Sequence, residues 1–342
     1  WILFFLMNIL FVSRAFPPIT GGIENQNAAL AEWLPKFAKT RFIINRHGKT
    51  ALPWFLPFAL FKTCLLMFRS DILVLGDGVL APIGAVIRIL FPRKKVVTIL
   101  HGLDITYSLP FYQRFWVHGF LRLLDGYFCV STHTETQAIR HGVNARKCFV
   151  IPNGVETERF ISKRDRDRLE TILGRSLEGK IVLLTLGRLA KRKGVAWFIQ
   201  HVLPRLNGNI LYVVAGSGPE ELAIRETAVK ANLDARVILL GRVSQDDVLT
   251  LLNSSDIFVQ PNIHVSGDME GFGIAVIEAG SAGLPVVASD LEGLRDAVRQ
   301  GENGFLVKPE QADGFIRTIN ELAENNTERQ RFGEKAARFV EN

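Results

Sequence analysis

Lys180-Ile181-Val182-Leu183-Leu184-Thr185-Leu186-Gly187-Arg188-Leu189-Ala190-Lys191-Arg192-Lys193-Gly194 is the stretch on which the reading of the fold turns. Its first half is a continuous apolar run, the pattern of a strand buried on both faces of a parallel sheet. Its second half places glycines, Arg188 and Lys193 where that strand ends. Open α/β sheets bind ligands outside the carboxyl ends of their strands, and Arg with Lys at such an end can neutralise a diphosphate. A solvated basic turn would have the same composition. The loop is not a Walker motif, because the G-x-x-x-x-G-K-[ST] spacing is missing.

Working outward, strand-like runs recur downstream at Ile210 to Ala215, Arg236 to Leu240, Asp256 to Gln260, Leu284 to Ser289 and Gly304 to Val307. Upstream they stand at Asn8 to Ser13, Arg41 to Asn45, Asp71 to Gly76, Lys95 to Leu100, Gly126 to Ser131 and Cys148 to Pro152. Helical patterns lie between most of them, which predicts α/β architecture in two doubly wound, Rossmann-like halves without a detectable sequence repeat. A cleft between the halves is the expected ligand site. The division is expected as residues 1–155 and 156–342. The charged stretch Glu156 to Gly179, with Lys163-Arg164-Asp165-Arg166-Asp167-Arg168, reads as the link plus a solvated helix. Asp165-x-Asp167 has the look of a metal-binding pair, but no apolar strand aims it, and a solvated pair is the expectation.

The 342 residues suffice for two domains that each bury a core. Lys plus Arg number 41 against 34 Asp plus Glu, a net charge of +7 that suits anionic ligands or an anionic membrane surface. A nucleic-acid partner is not expected, since no aromatic-interleaved basic run or zinc-finger spacing occurs. Cys64, Cys129 and Cys148 are far apart and odd in number, so they read as reduced core residues of a cytoplasmic protein. Trp1 to Met7 is apolar but lacks a basic start and a cleavage site, so no secretory signal is expected, and Met7 is a candidate start. Pro53 to Arg69 is the most apolar helical pattern, interrupted only by Lys62. It suits a helix buried against the sheet, or one lying on the cytoplasmic face of a membrane.

Several loops carry residues suited to chemistry. Gly267-Asp268-Met269-Glu270-Gly271-Phe272-Gly273-Ile274-Ala275-Val276-Ile277-Glu278-Ala279 turns through glycines into a helix. Such a junction exposes backbone N–H groups, and the helix dipole adds roughly half a positive charge there. Glu270 and Glu278 would lie about 12 Å apart along a helix axis, too far for one compact metal. They fit a ligand with hydroxyls at both ends and a pyrophosphate between, although a surface Glu and a dipole-favoured helix Glu would look the same. Ala215-Gly216-Ser217-Gly218-Pro219-Glu220 forms a further turn but lacks the third glycine of a dinucleotide fingerprint. His101-Gly102-Leu103-Asp104 closes a strand of the first half, where His101 would face the ligand. No G-x-S-x-G elbow and no H-E-x-x-H is present.

Taken together, these pieces resemble the retaining family 4 glycosyltransferases of GT-B fold. The resemblance rests on Pro18-x-x-Gly21-Gly22-x-Glu24, His101-Gly102, Ile151-Pro152-Asn153-Gly154-Val155, Gly187-Arg188 with Lys193-Gly194, Gly216-x-Gly218-Pro219, and Glu270-Gly271-Phe272-Gly273 with Glu278-Ala279. Pro285-Val286-Val287-Ala288-Ser289 and Asn303-Gly304-Phe305-Leu306-Val307 extend it over nearly the whole chain. It implies an acceptor-side first domain and a nucleotide-sugar-binding second domain. A hexosyl group would pass from a nucleotide diphosphate sugar to a glycan or lipid-linked acceptor, with retention and with neither metal nor cofactor. Arg188 and Lys193 would bind the pyrophosphate, which Gly21 and Gly22 approach from the first domain. Glu278 would hold the ribose hydroxyls, with Gly187 and Gly218 in the donor loops. Glu270, Gly271, Phe272, Gly273 and His101 would contact the sugar, and Arg242-Val243 would lie along the base.

The chain departs from the resemblance at Glu292-Gly293-Leu294-Arg295-Asp296, where many relatives have Gly-Gly-x-x-Glu. It is also expected to stop before the family's final crossover helix. A nucleotide-sugar 2-epimerase of the same fold and a non-catalytic nucleotide-sugar binding module are the rival readings.

Overall fold

The computed structural model describes residues 7–19 and 21–341, so the reading of Trp1 to Leu6 lies outside the described residues. Contacts divide the chain into two units. The first ends at Asn153 and takes in Gly267–Phe272, and the second comprises Gly154–Ser266 and the chain from Gly273 onward.

The first unit is built on six parallel strands, β1 (Asn8–Ser13), β2 (Lys39–Ile44), β3 (Ile72–Leu75), β4 (Lys95–Leu100), β5 (Gly126–Cys129) and β6 (Cys148–Val150), in the order β2-β1-β3-β4-β5-β6. The second holds β7 (Ile181–Leu186), β8 (Ile210–Ala215), β9 (Val237–Gly241), β10 (Ile257–Gln260), β11 (Val286–Ser289) and β12 (Gly304–Val307), ordered β12-β11-β10-β7-β8-β9. Each expected strand is present, shifted by a residue or two at some ends. The strand order reverses between β1 and β3 in one sheet and between β7 and β10 in the other. At such switch points the crossover helices diverge to opposite faces and leave the carboxyl ends of the strands open.

Both sheets are held by apolar residues buried on two faces. Leu10, Leu73, Leu75, Val96 and Leu100 centre one core, and Leu183, Val214, Ile257, Phe198 and Phe315 the other. Within the second core, Tyr212 Oη lies 2.8 Å from Thr185 Oγ1, which donates to the Val259 carbonyl.

Two expectations need correction here. The charged run before β7 is not simply solvated, because Arg164 and Arg166 both reach the buried Asp256 carboxylate, at 2.7 and 3.1 Å. Asp256 also accepts from the Val182 N–H at 2.8 Å, which ties the linker to β7. Asp165 caps the helix Arg166–Leu173, accepting from the Arg168 N–H at 2.8 Å. The apolar helix Leu52–Met67 is likewise not buried all round. Phe55, Ala59, Thr63 and Met67 face the core, while Trp54, Phe58, Phe61, Leu65 and Phe68 are exposed.

Candidate active site

The second unit assembles three loops at the carboxyl ends of β7, β8 and β9. Gly187 donates to the Ala215 carbonyl, and Gly216 to that of Gly241 at 2.7 Å. A Cβ on Gly216 would fall on the Gly187 carbonyl, and one on Gly218 would meet the Leu189 backbone. Glycine is therefore required by close backbone approach, and at Gly216 also by a φ of +141°. Arg242 donates through Nε to Ser217 Oγ at 3.0 Å, which fastens the Arg242-Val243 loop to its neighbour. The closed backbone net leaves Arg188 exposed on its rim.

Lys193 stands at the end of the same loop and is buried. Its turn is clamped from the β10 side: Ile263 donates to the Arg192 carbonyl at 2.9 Å, and a Cβ at Gly194 would fall on the Pro261 carbonyl. β7 and β10 flank the switch point, so a cation is fixed where the topology opens the sheet edge. Glu278, on the helix Ile274–Ser281, is near enough for the Lys193 charge to act on it. Burial nevertheless dominates and pushes the Glu278 carboxyl up to about 7, with Lys193 pulling it only partly back. That helix starts at Ile274, so Glu270 stands before it as expected, and helical rise does not set the whole separation from Glu270 to Glu278. Gly273 caps it in the left-handed region, with φ at +98°.

The first unit has its own constellation at the ends of β1, β3 and β4. Arg14 follows β1 and pairs with the buried Asp77 after β3, Nε to Oδ2 at 2.8 Å. Burial works against the Arg14 charge, and the Asp77 carboxylate outweighs it, so the guanidinium is held above its ordinary value. Asp104, also buried, accepts from the N–H groups of Gly78 and Gly102 at 2.9 Å each and of His101 at 3.1 Å. Burial raises its carboxyl nonetheless, with His101 the largest opposing influence. His101 Nε2 lies 2.9 Å from the Gly76 carbonyl.

Gly267–Phe272 packs in this unit, although residues 156–342 were expected to form one domain. The approach is close: a Cβ on Gly271 would fall on the His101 carbonyl, and one on Gly102 would meet the Met269 side chain. Glu270 and Phe272 are buried within that segment. Gly21 and Gly22 open the helix Gly22–Trp33, and the Glu24 side chain folds back over Gly21.

Residues 172–339 match the family model described as glycosyl transferases group 1, and residues 25–159 match the one described as glycosyltransferase family 4. The chain belongs to the family 4 glycosyltransferases. This glycosyltransferase is 27% identical over 312 residues to the amylovoran biosynthesis glycosyltransferase AmsK of Erwinia amylovora, covering 87% of this chain and 73% of that one. It is 31% identical over 183 residues to the UDP-Gal:alpha-D-GlcNAc-diphosphoundecaprenol alpha-1,3-galactosyltransferase of Escherichia coli, across 52% of this chain and 45% of that protein. Its fold is that of HepE of Anabaena in complex with UDP-glucose, with a TM-score of 0.80 and 21% identity over 98% of this chain and 94% of that one, which makes it GT-B.

Sequence reasoning did not assign roles to Arg14, Asp77 and Asp104 in this glycosyltransferase. Asp104 was visible three residues beyond His101, a spacing that lets a carboxylate turn back onto preceding N–H groups. The Arg14 to Asp77 pairing spans 63 positions and carries no local signal.

Proposed function

We propose that this glycosyltransferase moves a hexosyl group from a nucleotide diphosphate sugar to a glycan or lipid-linked acceptor, with retention of configuration. The observation that carries the reading is Lys193, a buried cation fixed at the β7/β10 switch point beside the carboxyl of Glu278. Charge builds on the departing diphosphate as the glycosidic bond breaks, and a cation already in place stabilises it without reorganising. Arg188 supplies a second positive charge from the rim of the same loop. Glu278 in its ionised form accepts the ribose hydroxyls. His101, Glu270 and the turns at Gly21-Gly22 and Gly271-Phe272-Gly273 are the remaining candidates for sugar and phosphate contacts. The UDP-glucose held by HepE and the UDP-Gal and diphosphoundecaprenol named for the E. coli relative support these substrate classes.

The two cations take the part that a divalent ion has in metal-dependent transferases, so chelator is expected to leave turnover unchanged. The test is thermal-shift screening with UDP-, GDP-, ADP- and TDP-sugars, followed by turnover on lipid-linked and free glycan acceptors. The anomeric configuration of the product is then read by NMR. Stabilisation by one donor class and a product of unchanged configuration are expected. An inverted product, or a C2-epimerised sugar released without acceptor, would overturn the assignment.

A further inference from the structure

We propose that one face of the first unit, centred on the helix Leu52–Met67, docks on an anionic phospholipid bilayer. Trp54, Phe58, Phe61, Leu65 and Phe68 follow one another at steps of four and three residues, so they form a single line down the helix. Their exposures are 83%, 54%, 66%, 57% and 74%. Soluble surfaces rarely show so continuous an apolar line. By length and composition alone Lys49–Met67 would suffice to cross a membrane. Its opposite stripe, however, packs into the unit's core, so crossing would tear Phe55, Ala59 and Met67 out of it. A helix anchored on one side and aromatic on the other lies in the interface plane.

The apolar surface continues onto the neighbours. Leu52–Met67 packs beside Ala81–Leu90, which packs beside the π-helical segment Tyr112–Phe120. Ile89 and Leu90 on the first neighbour are 70% and 58% exposed, and Phe68 meets Phe91 edge to face at 5.0 Å.

Charge decides the occupant. From Lys36 to Lys95 the chain carries eleven Lys or Arg against two Asp, an excess of nine, while the whole chain has a net charge of only +7. The basic surplus therefore belongs to the stretch that contains the aromatic line, and the remainder of the chain is slightly acidic. Lys62 lies over the Phe58 ring at 5.4 Å, and Arg69 and Arg93 are exposed near its far end. A second copy of the same face would meet like charge, whereas an anionic headgroup layer meets opposite charge. Leu103, Tyr107 and Leu109, each about half exposed, follow His101-Gly102 in the chain, and Tyr107 meets Tyr112 of the π-helical segment edge to face at 5.7 Å, an apolar border beside the His101 loop. Resting on the proposed lipid-linked acceptor, that border would let such an acceptor reach His101 without leaving the bilayer.

The test is flotation of the full chain with vesicles of phosphatidylcholine, with and without phosphatidylglycerol. Binding is expected only with the anionic lipid and is expected to weaken with salt. A Phe61→Ser/Leu65→Ser/Phe68→Ser variant should bind at least about tenfold more weakly, from the lost apolar burial. Lys62→Glu with Arg93→Glu should do the same through charge, by roughly tenfold or more. Both should keep wild-type circular dichroism and turnover on a water-soluble acceptor. Anionic-vesicle binding unchanged in both variants would overturn the proposal. So would a wild-type dimer, seen by sedimentation velocity and lost in the serine variant, which would assign the face to a second copy. Vesicle binding is read without turnover, so failure of the proposed reaction would not be mistaken for failure of the docking surface.

Discussion

At the carboxyl edge of the first sheet, Arg14 pairs with Asp77, and Asp104 accepts three backbone N–H groups. At the same edge of the second sheet, Glu278 is held near 7 by burial, Lys193 is buried beside it, and Arg188 stands exposed. The first edge uses its charges on itself, and they fix the loops after β3 and β4. The second edge fixes its loops chiefly by glycine contacts and backbone bonds, with Arg242 on Ser217 as the side-chain exception. Rigidity comes from side chains in one unit and from backbone in the other, so substitutions should separate folding from chemistry differently in each.

The sharpest way to break that contrast is Lys193→Ala. If the second edge keeps its cations for the reaction, kcat should fall by roughly two to three orders of magnitude, as when one preorganised electrostatic donor is removed. Arg188→Ala, at an exposed position, should cost turnover of similar order with an unchanged melting temperature. Single-turnover rates and thermal denaturation read the two effects separately. A Lys193→Ala enzyme of normal activity would show that the buried cation is structural.

Backbone-built rigidity is tested next by Gly216→Ala. The added Cβ would fall on the Gly187 carbonyl at a φ of +141°, so a cost of about 2–4 kcal/mol is expected in urea denaturation. Gly174→Ala is the control, because its φ is +66° with no heavy atom within 4 Å of the added Cβ, and about 1 kcal/mol is expected there. In the first unit the equivalent change is Asp104→Ala, which strips the acceptor from the Gly78, His101 and Gly102 N–H groups. A loss on the order of 3 kcal/mol is expected by the same method.

The strands could be read from sequence because buried parallel strands are unbroken apolar runs bounded by Gly, Pro or charge, as Asn8 to Ser13 and Ile181 to Leu186 show. The cationic loop could be read because its place after a strand already put it on a ligand-binding edge. Three features could not. The helix Leu52–Met67 is apolar on every side, so periodicity could not tell its core stripe from its exposed one. Gly267–Phe272 joins the first unit through steric fit with His101 and Met269-to-Gly102 contact, which no composition shift marks. The linker arginines found Asp256 some 90 positions away, hydrogen-bonded partners that only the folded chain brings together.

Glu278 gives the smallest predicted effect on function and the most discriminating one. Its carboxyl is raised from the usual value near 4.5 to about 7, with burial as the main cause. Between those values the unfolded chain has released the proton that the folded chain still holds. Stability therefore falls as pH rises from about 4.5 to about 7 and levels off above it, by up to about 3 kcal/mol for a shift of this size. Glu278→Gln should remove this slope and leave other titrations in place. Donor affinity should move the opposite way, because ribose hydroxyls donate best to the ionised carboxylate. From pH 6 to pH 8 the Kd for a nucleotide diphosphate should drop by at most about tenfold in the wild type and stay flat in Glu278→Gln. Calorimetric titration at the two pH values decides it. A slope shared by both proteins would mean that the pH dependence belongs to another group, and that Glu278 is a partly buried acid of the fold rather than the acceptor for the ribose.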